Sequence, residues 1–444
     1  MTPRHLAPLT GTRRRTAIGA TGAALVAAFA LAGCSSAGPG EAVTTLDPDE
    51  HVSISFTFWG NDVRAALYDE AVAAFEEQHP NIDVKVLFLS PNDYWEKRQI
   101  EASGGGLPDV VTMDLAYLRQ YSESGSLLDL EPYLGSIIQT DAIEDQVLSA
   151  GVVEDTTTAI PLSTNSWGMF LNTTLLAEIG VDGFDGGTWD DYYTWIGEVS
   201  DAASAKGIDA WGGVDPTTRI ENFELQLRAE GANLFDEDGT PGFDEERLAE
   251  FWNSVADQRA DGQVAPQQRV AEVQPLTAFD AALTASDATW DNTGAGFLGN
   301  LGEGYEIELV APPLTEEGGK DLFLKASQMY SIAANSDHPA AAATLIDFLV
   351  NSPESGEIFG TNRGLPASAT ARDAADLDEL SQTIADYEAS IAERLGDAPP
   401  VPIVGYGSLH EKFRELGEEL NFGTITVDEA VEQFFTEMGV VVDQ

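Results

Sequence analysis

Between His51 and Asp114 the hydrophobic period of the chain switches repeatedly between two residues and about 3.6, and no other feature limits the fold as strongly. VSISFTFW alternates as a half-buried strand does and runs out at Trp59-Gly60-Asn61. In DVRAALYDEAVAAFEEQHP the apolar Ala66, Leu67, Val72 and Phe75 recur at helical spacing until His79-Pro80 stops the helix. IDVKVLFL predicts a second strand, and Tyr94 to Glu101 a second helix ending at Gly104-Gly105-Gly106. Pro108 to Asp114 predicts a third, short strand. Strands alternating with helices imply an α/β sheet covered on both faces. In open sheets of that kind ligands sit at the carboxyl ends of the strands, which here are Trp59 to Asn61 and Asp114.

A second region of the same kind opens near Ile160-Pro161 with the strand SWGMFLN. Thr188 then caps a helix beginning Trp189-Asp190-Asp191, with Asp191 at the capping-box position. A turn at Asp238-Gly239 leads into a helix around Phe243 to Ala260. IELVAPPL, a strand near Met329 to Ala334 and the helix HPAAAATLIDFLV return to the first pattern, and the remainder reads as mainly helical.

The first fifty residues do not belong to this fold. Arg4 and Arg13-Arg14-Arg15 precede an apolar run from Ala17 to Leu31, which leads into Leu31-Ala32-Gly33-Cys34. The run is roughly 15 residues, the length of a signal peptide's apolar core and too short to cross a bilayer. The pattern is a lipoprotein signal of residues 1–33, with Cys34 as the site of lipid attachment. Thr16 and Ala17 stand where a twin-arginine signal expects hydrophobic residues, so general secretion is the expected route. Cys34 is the single cysteine, which rules out disulfides within the chain. Residues 34–50 are small, polar and Pro/Gly-containing, and read as a tether.

Charge removes one class of function. Twenty-two basic residues face seventy-five acidic ones, a formal net charge of −53, which becomes −57 once the four arginines of residues 1–33 are gone. A nucleic-acid partner needs a basic surface, so this class is excluded. Carboxylates are so abundant that a close pair of them is no sign of catalysis.

Several stretches in their order resemble the family-1 extracellular solute-binding proteins of ABC importers, which include maltose- and other sugar-binding proteins. They are Phe58-Trp59-Gly60, the segment Glu70 to Ile82 containing AAFEEQHPNI (similar to the family's FEKENPNI), and Leu107-Pro108-Asp109-Val110-Val111. Further along come Leu127-Leu128-Asp129-Leu130, Ile160-Pro161-Leu162, Thr188-Trp189-Asp190 and Asn351-Ser352-Pro353-Glu354. The resemblance implies a type II periplasmic-binding-protein-like α/β fold, two lobes joined by hinge strands with the ligand cleft between them. Crossings would fall near Pro161, Pro312 and Val350. Lobe one would then hold residues 51–161 and 312–349, and lobe two 162–311 and 350–444.

A ligand touching both lobes would favour the closed state and present it to the transporter. The resemblance further implies a monomer anchored by lipid to the outer face of the cell membrane, partnered by permease subunits and their ATPase, with no cofactor and no catalysis. A secreted carbohydrate-active enzyme, or the same fold holding a polyol, phosphodiester or peptide, are the alternatives.

A sugar presents hydroxyls in fixed directions and apolar C–H faces, so its receptor needs aromatic plates with Asp, Asn, Glu and Arg at their rims. Of eight tryptophans, Trp59, Trp167, Trp211 and Trp290 fall where the resemblance puts cleft loops. Trp95, Trp189, Trp195 and Trp252 lie in helical patterns and are expected in the core. The polar candidates are Asn61, Asp62, Asp114, Asn165, Asp291, Asn292 and Arg363, the last preceding Gly364-Leu365-Pro366. Glu221 and Asn222 open a helix from which either reaches the cleft or caps.

Gly294-Ala295-Gly296-Phe297-Leu298-Gly299 spells a dinucleotide-binding pattern, but its glycine-rich continuation is expected to be a loop rather than the required helix. Asp236, Asp238, Gly239 and Glu245 mimic a calcium loop whose first ligand position falls on Leu234. His410-Glu411 lacks the second histidine of a zinc helix, Arg414 standing in its place, and the scattered histidines predict no metal site.

Overall fold

The computed structural model describes residues 50–60, 62–315 and 319–442. Asn61, the leader and Cys34 lie outside them. Strand β1 (Val52–Trp59) pairs in parallel with β2 (Ile82–Leu89) in unbroken register, Val52 opposite Ile82 and Trp59 opposite Leu89. On its other side β1 pairs in parallel with β3 (Val110–Met113). Between β1 and β2 runs α1 (Asp62–Gln78), which buries Ala65, Tyr68, Ala71, Val72 and Phe75. The periodicity in the sequence pointed to Ala66 as well, but Ala66 is exposed and Tyr68 takes the core position. Helix α2 (Pro91–Ser103) leads to β3, and α3 (Leu115–Glu123) leaves it under a cap from Asp114, whose carboxylate accepts the Ala116 N–H.

After α4 (Asp145–Leu148) and a small hairpin of β4 (Val152–Val153) and β5 (Thr156–Thr157), the chain enters β6 (Ile160–Asn172). All thirteen residues of β6 are buried. The second half of β6 carries the next layer. Asn172 caps α5 (Thr173–Ile179), which Gly180 closes at φ 78, a left-handed conformation that glycine adopts without penalty. Helix α6 (Trp189–Lys206) starts with the expected Thr188–Asp191 capping box.

Then come β7 (Trp211–Gly213), α7 (Ile220–Ala229), α8 (Glu245–Asn253), α9 (Ala256–Ala260) and α10 (Gln267–Glu272). The single helix expected over 243–260 is thus broken between Asn253 and Ala256. Next are β8 (Thr284–Trp290), α11 (Gly294–Leu301) and β9 (Ile307–Val310). The glycine-rich stretch expected as a loop is therefore helix α11: Phe297 buries itself against Phe170 and Phe279, and a Cβ on Gly294 would stand 3.0 Å from the Phe170 ring.

The chain returns through β10 (Leu324–Ile332), α12 (Pro339–Asn351), α13 (Pro353–Phe359), β11 (Leu365–Pro366), α14 (Ala369–Ala374) and α15 (Glu379–Ser390). It ends with α16 (Tyr406–Phe422) and α17 (Val427–Val442). Among the described residues the strands form a nine-stranded sheet in the order β2-β1-β3-β10-β6-β8-β7, with β11 and β9 also paired to β6. The first half of β6 pairs with β10 and β11, and its second half with β8 and β9.

Separate apolar clusters surround this sheet. One joins β1, α1 and α12, another gathers on α5 and α6, and a third packs α7, α8, α16 and α17 around Phe223, Phe251, Trp252, Phe413 and Phe434. The architecture is the α/β, two-lobe arrangement expected. At Val350, however, the chain stays with the first cluster: α13 packs on α1, and Tyr387, Ile391 and Leu395 belong to the β1–α12 core. It joins the α7–α17 cluster only beyond Val401, which is buried beside Val111, Met113 and Leu118.

Candidate functional site

A cavity of about 380 Å³ opens where the start of α3 faces α7 and α16. Its volume is within the range of about 300–1,000 Å³ typical of ligand sites. Three strands of the sheet supply its aromatic floor. Trp167 comes from β6, Trp290 from the end of β8, and Phe323 and Lys325 from the start of β10. Because Trp167 lies directly opposite Trp290 in the β6–β8 ladder, the two indoles meet edge to face, 5.1 Å apart at 84°. Trp167 is locked: its Nε1 donates to Asn222 Oδ1 at 2.9 Å, and its carbonyl accepts the Tyr387 hydroxyl at 2.5 Å. Lys325 lays its Nζ over the Trp290 ring, 4.7 Å from the centroid, a cation–π contact.

The helical wall is charged. In α16, Leu409, Phe413, Leu416 and Leu420 enter the core, which turns Tyr406, His410 and Arg414, at i, i+4 and i+8, toward the cavity. From α7 come Glu221 and Glu224, three residues apart and therefore on one face. His410 Nε2 lies 3.1 Å from Glu221 Oε1. Burial alone would raise the Glu221 carboxyl, but the hydrogen bond to His410 and its charge outweigh burial and hold it below the usual carboxylate range. The same bond raises His410. Glu224 has no such donor, and burial pushes it up to about 7 against the opposing charge of Arg228.

The wall therefore holds two carboxyls of opposite tendency. Arg219 reaches the buried Asp287 at 3.2 Å. The segment Pro399–Pro402 closes the remaining side and is tied to α3, Arg119 donating from Nη2 to the Val401 carbonyl at 2.8 Å and from Nε to that of Pro402 at 3.3 Å.

Four residues singled out in the sequence, Asp114, Trp167, Glu221 and Trp290, line this cavity together. Asn165 and Asn292 meet in a smaller one of about 140 Å³, beside Thr361, Asp378 and Ser381. Trp59 sits against Tyr94 and Trp95 at the end of β1, and Asp62 is exposed at the start of α1. The other three are absorbed elsewhere in the structure. Trp211 is not among the residues lining either cavity, its Nε1 donating to the Gly262 carbonyl at 3.1 Å. Asp291 is wholly buried and accepts the Ser166 N–H at 2.8 Å, with burial and the neighbouring Glu388 both raising its pKa. Arg363 is buried over Phe359, 3.6 Å from the ring centroid, and donates to the Tyr330 hydroxyl at 2.8 Å and the Leu349 carbonyl at 3.2 Å.

Lys325, Phe323, Glu224, Tyr406 and His410 were not among the candidates. The sequence marks His410 only within an incomplete zinc pattern, and the four-residue spacing of Tyr406, His410 and Arg414 along one helix is the signal that could have found two of these five. Among the described residues there is no group of three or more His, Cys, Asp or Glu side chains arranged to hold a metal, and no helix long and apolar enough to cross a membrane.

A cavity shared between the end of an α/β sheet and a separate helical wall, floored with aromatic rings and rimmed with charge, has the size and lining to take a small solute. The chain belongs to the bacterial extracellular solute-binding proteins, whose family model matches residues 60–354. The family binds solutes for ABC transporters, outside the cytoplasm. Similar solved structures include an extracellular solute-binding protein family 1 member from Alicyclobacillus acidocaldarius, 25% identical over 90% of this chain and 100% of that one, with a TM-score of 0.74. A periplasmic oligogalacturonide-binding protein from Yersinia enterocolitica is 20% identical over 88% of this chain and 99% of its own, with a TM-score of 0.76. The GacH receptor of Streptomyces glaucescens, solved unliganded and with acarbose, is 19% identical over 88% and 98%, with a TM-score of 0.62.

Proposed function

We propose that this protein captures a sugar or oligosaccharide outside the cell and delivers it to the permease of an ABC importer, held to the membrane by lipid on Cys34. The observation that carries this reading is the 380 Å³ cavity, in which aromatic rings stand beside carboxyl, guanidinium, ammonium and imidazole groups. Aromatic faces suit the C–H faces of a sugar, and the charged rim suits its hydroxyls. The ligands of similar structures agree in kind: oligogalacturonide, acarbose, and cycloalternan for a Listeria monocytogenes protein. Asp114 reaches the cavity from the α3 side and Glu221, Glu224 and His410 from the other, so a bound sugar bridges the two and favours closure by its differential affinity. Hinge motion would act through β6 and the segments following Val310 and Leu395, where the chain changes clusters.

One observation favours a second reading. Glu221 and Glu224 face the same cavity from one side of α7, the first held down and the second pushed up, an arrangement in which a carbohydrate-cleaving enzyme would have its base and its acid. A thermal-shift and tryptophan-fluorescence screen against mono- and oligosaccharides, with the sugar recovered and analysed afterwards, tests both. Stabilisation by one sugar class with the sugar returned intact is the expected result. Cleavage products would establish the enzyme, and silence across the panel would move the ligand to another solute class.

A further inference from the structure

Trp95, expected in the core, is only partly buried and lies face to face with Tyr117, ring centroids 3.8 Å apart and planes 15° from parallel. Trp59 at 5.3 Å, Tyr94 at 5.1 Å and Tyr121 at 6.2 Å hold Trp95 from other sides. Tyr94 is itself fixed, fully buried with its hydroxyl donating to the Thr112 carbonyl at 2.7 Å. The outermost ring of this stack is Tyr117, 36% exposed. Among the described residues Trp95 is its single ring contact, and its hydroxyl makes no hydrogen bond. A lone exposed tyrosine needs no explanation. This one is backed by a stacked indole, carries an unused hydroxyl, and follows Asp114, Leu115 and Ala116, which line the cavity, in the first turn of α3.

We propose that Tyr117, backed by Trp95, is a second saccharide subsite on the α3 side, where a sugar unit running out of the cavity lays its C–H face on the phenol ring and hydrogen-bonds the hydroxyl. The cavity is at the small end of the ligand-site range of about 300–1,000 Å³, so a longer chain must leave it. Tyr117 is the next residue after the three that form the α3 wall, and its ring is the exposed end of the Trp95 stack. The rigid stack means that little side-chain freedom is lost when a sugar docks. This inference rests on the saccharide reading above and adds the length of the ligand to it.

The test is calorimetric titration of the purified full chain with maltose through maltoheptaose and with di- and trigalacturonate. Wild-type affinity should rise with length within the series that binds. Tyr117→Ala should remove that rise, about tenfold for the longest member, while leaving the shortest within about twofold, and Tyr117→Phe should keep most of it. Matching circular dichroism and melting temperature confirm that the variants are folded. If affinity is flat with length, or if Tyr117→Ala binds every length as wild type does while Tyr406→Ala loses binding, the subsite is overturned and the saccharide reading stands. If wild type binds none of the panel, both fall.

Discussion

The two walls of the cavity are built in opposite ways. The α3 wall is one strand–helix junction, Asp114 to Ala116, with the Asp114 carboxylate accepting the Ala116 N–H at 2.9 Å within its own turn. The α7–α16 wall assembles groups from distant parts of the chain, since Glu221 and His410, 3.1 Å apart, are separated by 189 residues. The first wall depends on a local cap, and the second on an aromatic core that must form before its charges can meet. It follows that a core defect should disable the second wall and spare the first.

The sharpest way to break this contrast is Trp252→Ala. Trp252 is fully buried against Phe413 and Phe434 and donates from Nε1 to the Thr217 carbonyl at 3.2 Å. Its truncation should cost about 3–5 kcal/mol in urea unfolding. A loss below about 1 kcal/mol would mean that the helical wall does not rest on this core.

Glu224 comes next. With its carboxyl raised to about 7 by burial, the native state holds a proton that the unfolded chain releases near 4.5, so stability falls as pH rises through that window and levels off above it. Glu224→Gln should flatten this fall, gaining at most about 3 kcal/mol on wild type between pH 4 and pH 8. Parallel pH profiles for the two proteins would remove Glu224 from the account.

On the other wall, Asp114→Ala should cost about 1 kcal/mol through loss of the α3 cap, and Asp114→Asn should restore it. If Asn fails to rescue stability, the carboxylate is doing something other than capping.

The smallest effect belongs to His410→Gln. His410 is raised and Glu221 lowered by their shared bond, so the pair adds stability between the two titrations, and loses it as pH rises through His410 or falls through Glu221. The imidazole is partly open to solvent, so the gain should stay below about 1 kcal/mol near pH 6 and vanish at pH 9. A cost that persists at pH 9 would make His410 a packing residue.

The same division decides what the sequence made legible. Strands β1, β2 and β3, the Thr188–Asp191 capping box and the cavity position of Asp114 follow from periodicity and strand ends, which are local. Trp167 and Trp290 were also within reach, each being a large aromatic residue close to a strand end or crossing. That Asp291, Arg363 and Trp211 stand apart from this cavity was not legible, because a polar or aromatic residue in a loop-like context has the same appearance whether it lines a cavity or meets buried backbone. Their partners, the Ser166 N–H, the Tyr330 hydroxyl and the Gly262 carbonyl, are fixed by tertiary pairing. Glu224 was hidden for the same reason: its burial depends on α16, far along the chain. Helix α11 formed despite its glycines because Phe297 has a pocket between Phe170 and Phe279 to fill, and tertiary packing overrode local propensity.

The edge-to-face arrangement of Trp167 and Trp290 has an optical consequence. Two indoles at 5.1 Å and 84° are close enough to couple their electronic transitions, which gives the pair a near-ultraviolet circular dichroism signature of its own. Trp167 is immobilised by Asn222, so any ligand that turns Trp290 or lifts Lys325 from its face changes that signature without altering the secondary structure. Occupancy of the receptor should therefore be readable by spectroscopy with no label attached.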